Sequence, residues 1–312
     1  MAKSPRKKNA ILSFAHQLAS HHFPRNKIVV QELGGGITNH VFEFRAGKKE
    51  FVIRISEEIH KINFFYKEQW AVQKAREMKI PVPEILEVGN DIIPYPYMIM
   101  DKLQGTEATH HPARLNILEE AGRLASLLHQ IPTEGYGHVF DWSQNALSKK
   151  TSWPVYLEKE FRVFERMDVL KKNQMLPSGA AARIMKGITR MMKWQAQPCL
   201  QHGDIRLKNI VVNDQGMIQA IIDWEESISS IGPYWDLSIA LHDLSVDAQQ
   251  RFLQGYGMPA EELHQSVFAM KIFNVLNYSP VIAQLVTNKK QNKSIIEHYR
   301  MRLHGVLDLF SI

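Results

Sequence analysis

The hydrophobic period of the chain changes once, near Gly105, and that change limits the available folds more than any other feature of its 312 residues. Before it, β-branched and aromatic runs alternate with turn residues: Lys27 to Glu32, Val41 to Arg45, Phe51-Val52-Ile53-Arg54-Ile55, Ile85 to Val88 and Tyr97 to Met100 read as strands. Gly34-Gly35-Gly36 and Gly47 mark reversals, and one helical stretch, Phe64 to Lys79, is stopped by Pro81 and Pro83. After Gly105 the apolar positions recur at helical spacing, as in Leu115, Ile117, Leu118, Ala121, Leu124, Leu127 and Leu128. A single hairpin is expected to interrupt these helices: Asn209 to Val212, a turn at Asn213-Asp214-Gln215-Gly216, and Met217 to Ile222. The expected class is therefore α+β, with a small N-terminal β-rich lobe and a larger, mainly helical C-terminal lobe.

Composition narrows the function classes. Hydrophobic residues at 45% and charged residues at 22% exclude a disordered or fibrous chain. The only cysteine, Cys199, excludes an intramolecular disulfide or a Cys-rich metal cage and reads as a buried small hydrophobe in a reducing, cytoplasmic setting. The basic start (Lys3, Arg6, Lys7, Lys8) is followed by Ser13, His16 and Gln17 instead of an unbroken apolar core, so an amphipathic first helix is expected rather than a signal segment. No run of 18 apolar residues occurs, and no membrane span is expected. A net charge of +6 permits an anionic partner, but no nucleic-acid motif accompanies it and no nucleic acid is expected.

The densest polar constellation is Gln201-His202-Gly203-Asp204-Ile205-Arg206-Leu207-Lys208-Asn209, followed by the hairpin and by Ile221-Ile222-Asp223-Trp224-Glu225. Taken singly, Asp204, Asn209 and Asp223 are common turn and cap residues. Taken together, four residues separate Asp204 from Asn209 and a carboxylate follows the hairpin, which is the order of the kinase pattern H-R-D-x-x-x-x-N and its metal-binding Asp. Phosphoryl transfer explains these residue types: a carboxylate orients the attacking hydroxyl and takes its proton, and hard oxygen ligands hold Mg²⁺. Asp204 is the candidate base, and Asn209 and Asp223 are the candidate metal ligands.

With these motifs the sequence resembles the aminoglycoside phosphotransferase family, small-molecule kinases of protein-kinase-like fold whose signature is an HGD-x-x-x-x-N loop followed by IDW or IDF. The Gly-Gly-Gly-Ile-Thr-Asn turn of Gly34 to Asn39, Leu127-Leu128-His129 and Tyr234-Trp235-Asp236-Leu237 extend the resemblance over nearly the whole chain. It implies a two-lobe fold: a nucleotide-binding lobe at 1–101, a hinge at 102–106 and a helical lobe at 107–312 with the catalytic loop and acceptor site. It also implies ATP or GTP with Mg²⁺ as cofactors. Gly35, Gly36, Thr38 and Asn39 are placed over the phosphates, Arg54 at the strand cation with Glu68 as its partner, and Met100, Asp101 and Leu103 at the hinge. Ile37, Val52, Met100 and Leu103 are the candidate walls of the base site. Asp236 is expected to brace the catalytic loop, with His129 and His202 as structural hydrogen-bonding groups.

The acceptor is less constrained. Residues 1–82 hold 15 basic against seven acidic residues, whereas residues 221–262 hold eight acidic residues against Arg251 alone, an acidic side suited to a cationic acceptor or to plain solvent exposure. Phe65-Tyr66-Lys67-Glu68, Ile80 to Leu86, Gly135-Tyr136-Gly137 and Trp153 look like hygromycin B phosphotransferases. Substrate contacts are expected from 152–166 and 260–277. An aminoglycoside or aminocyclitol antibiotic is the leading acceptor for a monomer or homodimer. A metabolite kinase for homoserine, choline or a sugar-like acceptor, or a silent nucleotide-binding module, is the alternative.

Overall fold

The computed structural model describes residues 5–33, 39–138, 151–242, 244–288 and 292–308. Along the chain the elements run α1 (Pro5–His22), β1 (Val30–Leu33), β2 (His40–Ala46), β3 (Lys49–Ile55), α2 (Lys61–Glu77), β4 (Ile85–Gly89), β5 (Tyr97–Asp101) and β6 (Thr106–Glu107). Then follow α3 (Arg114–Leu128), α4 (Trp153–Val155), α5 (Val163–Lys172), α6 (Ala180–Met191), β7 (Pro198–Gln201), β8 (Ile210–Val212), β9 (Ile218–Ile221) and β10 (Ile228–Ile231). The chain ends in α7 (Tyr234–Ala240), α8 (Val246–Tyr256), α9 (Ala260–Asn277), α10 (Ser279–Val286) and α11 (Lys293–Asp308).

Two compact units emerge: residues 1–117 with 207–225, and residues 118–206 with 226–312. This grouping differs from a single boundary at 102–106. The β8–β9 hairpin counts with the N-terminal segment because β8 pairs with β6, and Ile221 N–H donates to Pro81 O at 2.9 Å.

The first unit is built on an antiparallel sheet in the order β1-β2-β3-β5-β4. Because side chains alternate along a strand, Phe51, Ile53 and Ile55 of β3 lie on one face and Val52 and Arg54 on the other. The first face packs on α1, where Ile11, Leu18, Phe42, Phe44 and Ile99 complete a dry core. The α2 side is closed by Phe65 with Val88 and Met98. Arg54 therefore projects on the face opposite the α1 core.

The second unit is mainly helical, with α5, α6 and α9 packed on an aromatic core of Trp153, Tyr156, Phe161 and Phe273. It contains one ribbon that the sequence reading, with its single hairpin, did not anticipate: β7 pairs with β10, from Pro198↔Ile231 to Gln201↔Ile228. All four residues of β10 are buried, so its short run lacks the alternation by which a half-buried strand is recognised. Residues 152–166 also differ from one continuous helix. They form α4, a wider turn over Tyr156–Glu160 and the start of α5, broken at Arg162 with φ 57°. No helix among the described residues is long and apolar enough to cross a membrane.

Where α3 meets α8 the backbones touch through glycine: a Cβ on Gly122 would overlap the Phe252 carbonyl, and one on Gly255 the Glu119 carbonyl. Gly255→Ala is expected to cost about 1–3 kcal/mol by forcing the helices apart. Gly305→Ala, facing open space in α11, is expected to add up to about 1 kcal/mol of helix propensity. Denaturant unfolding of the two variants checks the contrast.

Candidate active site

In the first unit a cavity of about 860 Å³ opens on the face of the sheet that carries Arg54. Its apolar walls are Leu33, Val41, Val52, Pro83, Met100, Leu103, Val211 and Ile222. Of the expected base-site residues, Val52, Met100 and Leu103 line it, while Ile37 lies outside the described residues with Gly35, Gly36 and Thr38. An apolar slot edged by a few fixed polar groups is what a flat heteroaromatic ligand requires.

At the hinge strand, the N–H groups of Asp101 and Lys102 are committed to Glu84 O and Glu50 O, each at 2.9 Å. The Leu103 N–H makes no backbone hydrogen bond among the described residues, so it is the first amide there that is open to a ligand. Asn39 also lines the cavity. The residue is 8% exposed, and among the described residues its Oδ1 is a buried acceptor with no partner, the kind of orphan that a ligand donor satisfies.

Arg54 and Glu68 meet across strand and helix. Arg54 Nη1 donates to both Glu68 oxygens, at 2.7 and 2.8 Å, and the guanidinium lies 5.3 Å from the Phe65 ring centre. Sequence reasoning did not place Glu225 here, yet Arg54 Nη2 donates to Glu225 Oε2 at 3.3 Å. Its position two residues past the candidate metal Asp marks Glu225 in the sequence but does not name its partner. Burial works against the Arg54 charge, but the carboxylates of Glu68, Glu225 and Asp223 outweigh it and hold the guanidinium firmly protonated.

Asn209 and Asp223 line the same cavity. Asn209 follows the turn that enters β8, and Ile222 N–H donates to its carbonyl at 2.9 Å, which ties the two ends of the hairpin together. Asp223 adopts φ 67°, a left-handed conformation that Asp tolerates better than most residues and that re-aims the chain just after β9. An amide oxygen and a carboxylate are hard donors, so their chemistry fits a hydrated Mg²⁺ that takes its remaining ligands from phosphate.

The second unit carries the loop 202–206, and its frame is Asp236. This fully buried carboxylate accepts His202 N–H and Gly203 N–H, both at 2.7 Å, and pairs with His129 Nε2 at 3.1 Å. His129 Nδ1 in turn meets the Tyr256 hydroxyl at 2.9 Å, a partner the sequence did not signal. Gln201 Oε1 accepts Asp236 N–H at 2.8 Å, closing the network from the other side. Gly203 sits at φ 88° against the Glu226 carbonyl, a position closed to any side chain.

On this frame Asp204 is 15% exposed, its N–H donates to His202 Nδ1 at 3.2 Å, and its Oδ1 accepts Arg206 Nε at 2.5 Å. A carboxylate held on a braced loop with its exit to solvent retained can orient and deprotonate a hydroxyl. Also in this unit, Tyr136 and Trp153 approach with ring centres 5.2 Å apart. Cys199 is buried, and burial pushes its thiol up to about 12, which makes it an inert core residue.

The model of the phosphotransferase enzyme family matches residues 29–266. The chain belongs to this family. A hygromycin-B 4-O-kinase from Escherichia coli is 23% identical over 215 residues, which are 66% of this chain and 60% of that kinase. The chain thus spans under two thirds of that relative's length. Among solved structures, the aminoglycoside phosphotransferase APH(4)-Ia aligns with a TM-score of 0.68 at 15% identity, over 96% of this chain and 99% of the other. A thermostable mutant of APH(4)-Ia, solved as a ternary complex with ADP and hygromycin B, aligns at 0.63 with 16% identity over 93% and 96%. These likenesses show the fold: an N-terminal antiparallel sheet and a mostly helical C-terminal part, as in the aminoglycoside phosphotransferases.

The Asp236 network carries a stability prediction. Asp236→Ala leaves two buried N–H groups without an acceptor and is expected to cost about 2–4 kcal/mol. Thermal unfolding of the variant beside the parent protein measures the loss.

Proposed function

We propose that the protein is a kinase that moves the γ-phosphoryl group of ATP or GTP to a hydroxyl of a small molecule, of the aminoglycoside or aminocyclitol class. The observation that carries this reading is one cavity lined by the Arg54–Glu68 pair, the orphan acceptor of Asn39 and the two hard oxygen donors of Asn209 and Asp223. Family membership supports the chemistry. The kinship with a hygromycin-B 4-O-kinase supports the acceptor class.

In this reading the base stacks between Val52, Met100 and Leu103, and the Leu103 amide meets its edge. Arg54, held by Glu68, binds the non-transferred phosphates. Asn209 and Asp223 would hold Mg²⁺, which would supply neutralisation of the phosphate charge. Asp204 accepts the acceptor hydroxyl's proton as the new O–P bond forms and the bond from the γ-phosphorus to the bridging oxygen breaks, releasing the nucleoside diphosphate. Asn39 offers its side-chain amide to the nucleotide. The acceptor is met by the segments at 152–166 and 260–277, where aromatic and acidic residues lie close in sequence.

Asp204→Ala is expected to lower kcat by roughly 10²–10⁴ while leaving nucleotide affinity nearly unchanged. Mg²⁺-dependent nucleotide consumption, assayed against aminoglycosides, hygromycin B, homoserine, choline and sugars, reads this directly, and undiminished turnover in the variant rejects Asp204 as the base. Asp223→Ala is expected to abolish Mg²⁺-dependent nucleotide binding. Titration calorimetry with full binding in that variant would move the metal site elsewhere.

A further inference from the structure

The two carboxylates on Arg54 are not equivalent. Glu68 projects from α2, is 4% exposed, and gives both oxygens to Nη1 at 2.7 and 2.8 Å, the length of a strong charge-assisted bond. Glu225 is 21% exposed and offers one oxygen to Nη2 at 3.3 Å, well outside that range. Arginine makes such a division workable: its planar fork keeps one edge on a permanent partner while the other changes partner, which a lysine point charge cannot do.

The surrounding charge makes an exchange favourable. The cavity is lined by five carboxylates, Glu68, Asp101, Glu107, Asp223 and Glu225, against the cations Arg54 and Lys102. Lys102 is itself engaged by Glu43 at 2.5 Å. A phosphate entering this wall meets net repulsion unless a cationic edge is released to it. The turn that bears Glu225 is anchored by its neighbour: Trp224 is fully buried, and its Nε1 donates to Ile221 O at 2.8 Å. Displacing Glu225 therefore needs only side-chain rotation, with the backbone held.

We propose that Glu225 is a displaceable counter-ion, occupying the Nη2 edge of Arg54 until a phosphate oxygen of the nucleotide takes its place. The inference rests on the reading of this cavity as a nucleotide site and adds a residue that sets nucleotide affinity. Glu68 positions Arg54; Glu225 competes with the ligand for it. The two carboxylates then have opposite signs in binding.

The test is calorimetric titration of ADP with Mg²⁺ into the full-length protein and its variants. Glu225→Gln and Glu225→Ala are each expected to tighten ADP binding by about threefold or more, the worth of a partly exposed ion pair, whereas Glu68→Gln weakens it. A variant that misfolds cannot bind more tightly, so the sign guards against that confusion. In an Arg54→Lys background, which lacks the second edge, the gain from Glu225→Gln should vanish. Unchanged or weaker binding in both Glu225 variants overturns the proposal, as does an equal gain in the Arg54→Lys background, which would mark plain through-space repulsion. Failure of the parent protein to bind ADP would instead reject the cavity as a nucleotide site, and the inference with it.

Discussion

Asp236 shows what it takes to keep a carboxylate out of water. Two backbone N–H groups and a histidine ring surround it; the histidine is itself held by Tyr256, and the backbone N–H of Asp236 is held by the Gln201 side chain of β7. Burying a charge without such partners costs several kcal/mol, so the loop 202–206 has little freedom to rearrange. The conformation of Asp204 is a consequence: it is held by a network that it meets at His202. Such a division, in which one side chain is placed by buried residues around it, is how a preorganised site is built.

The first unit solves a similar problem with a different purpose. Arg54 reaches the cavity because β3 alternates, sending its aromatic and branched residues to the α1 core and Val52 and Arg54 to the other face. Glu68 keeps that guanidinium charged and aimed, and Phe65 of the same helix floors it. The remaining edge is only loosely held. A cation that must attract a ligand and yet not be neutralised by its own scaffold calls for this asymmetry, and a guanidinium supplies it more readily than an ammonium.

Phosphoryl transfer demands little covalent chemistry of a protein and much placement of charge, which is why residue types far apart in sequence recur in a fixed order in this family. The acceptor makes no comparable demand on the scaffold. One fold accordingly serves many acceptors.

Local pattern alone sets the periodic elements and the order of the candidate site residues. The strands at Val41, Phe51 and Tyr97, the helices at Phe64 and Ala113, and the 209–222 hairpin follow from local alternation and turn residues, and the structure places them within a few residues of those bounds. Asp204, Asn209, Asp223 and Asp236 stand out because their spacing is itself the signal; the structure puts Asn209 and Asp223 on one cavity and Asp236 on the amides of His202 and Gly203. The β7–β10 ribbon was not legible, since a short strand buried on both faces has no period and its pairing joins residues about thirty apart. Nor were the contacts of Tyr256 with His129 and of Glu225 with Arg54, which tertiary packing brings together across 127 and 171 residues. Local propensity decides which residues form a strand or a turn; only the packed chain decides which charges share a cavity, because that is set by long-range burial and not by neighbours in sequence.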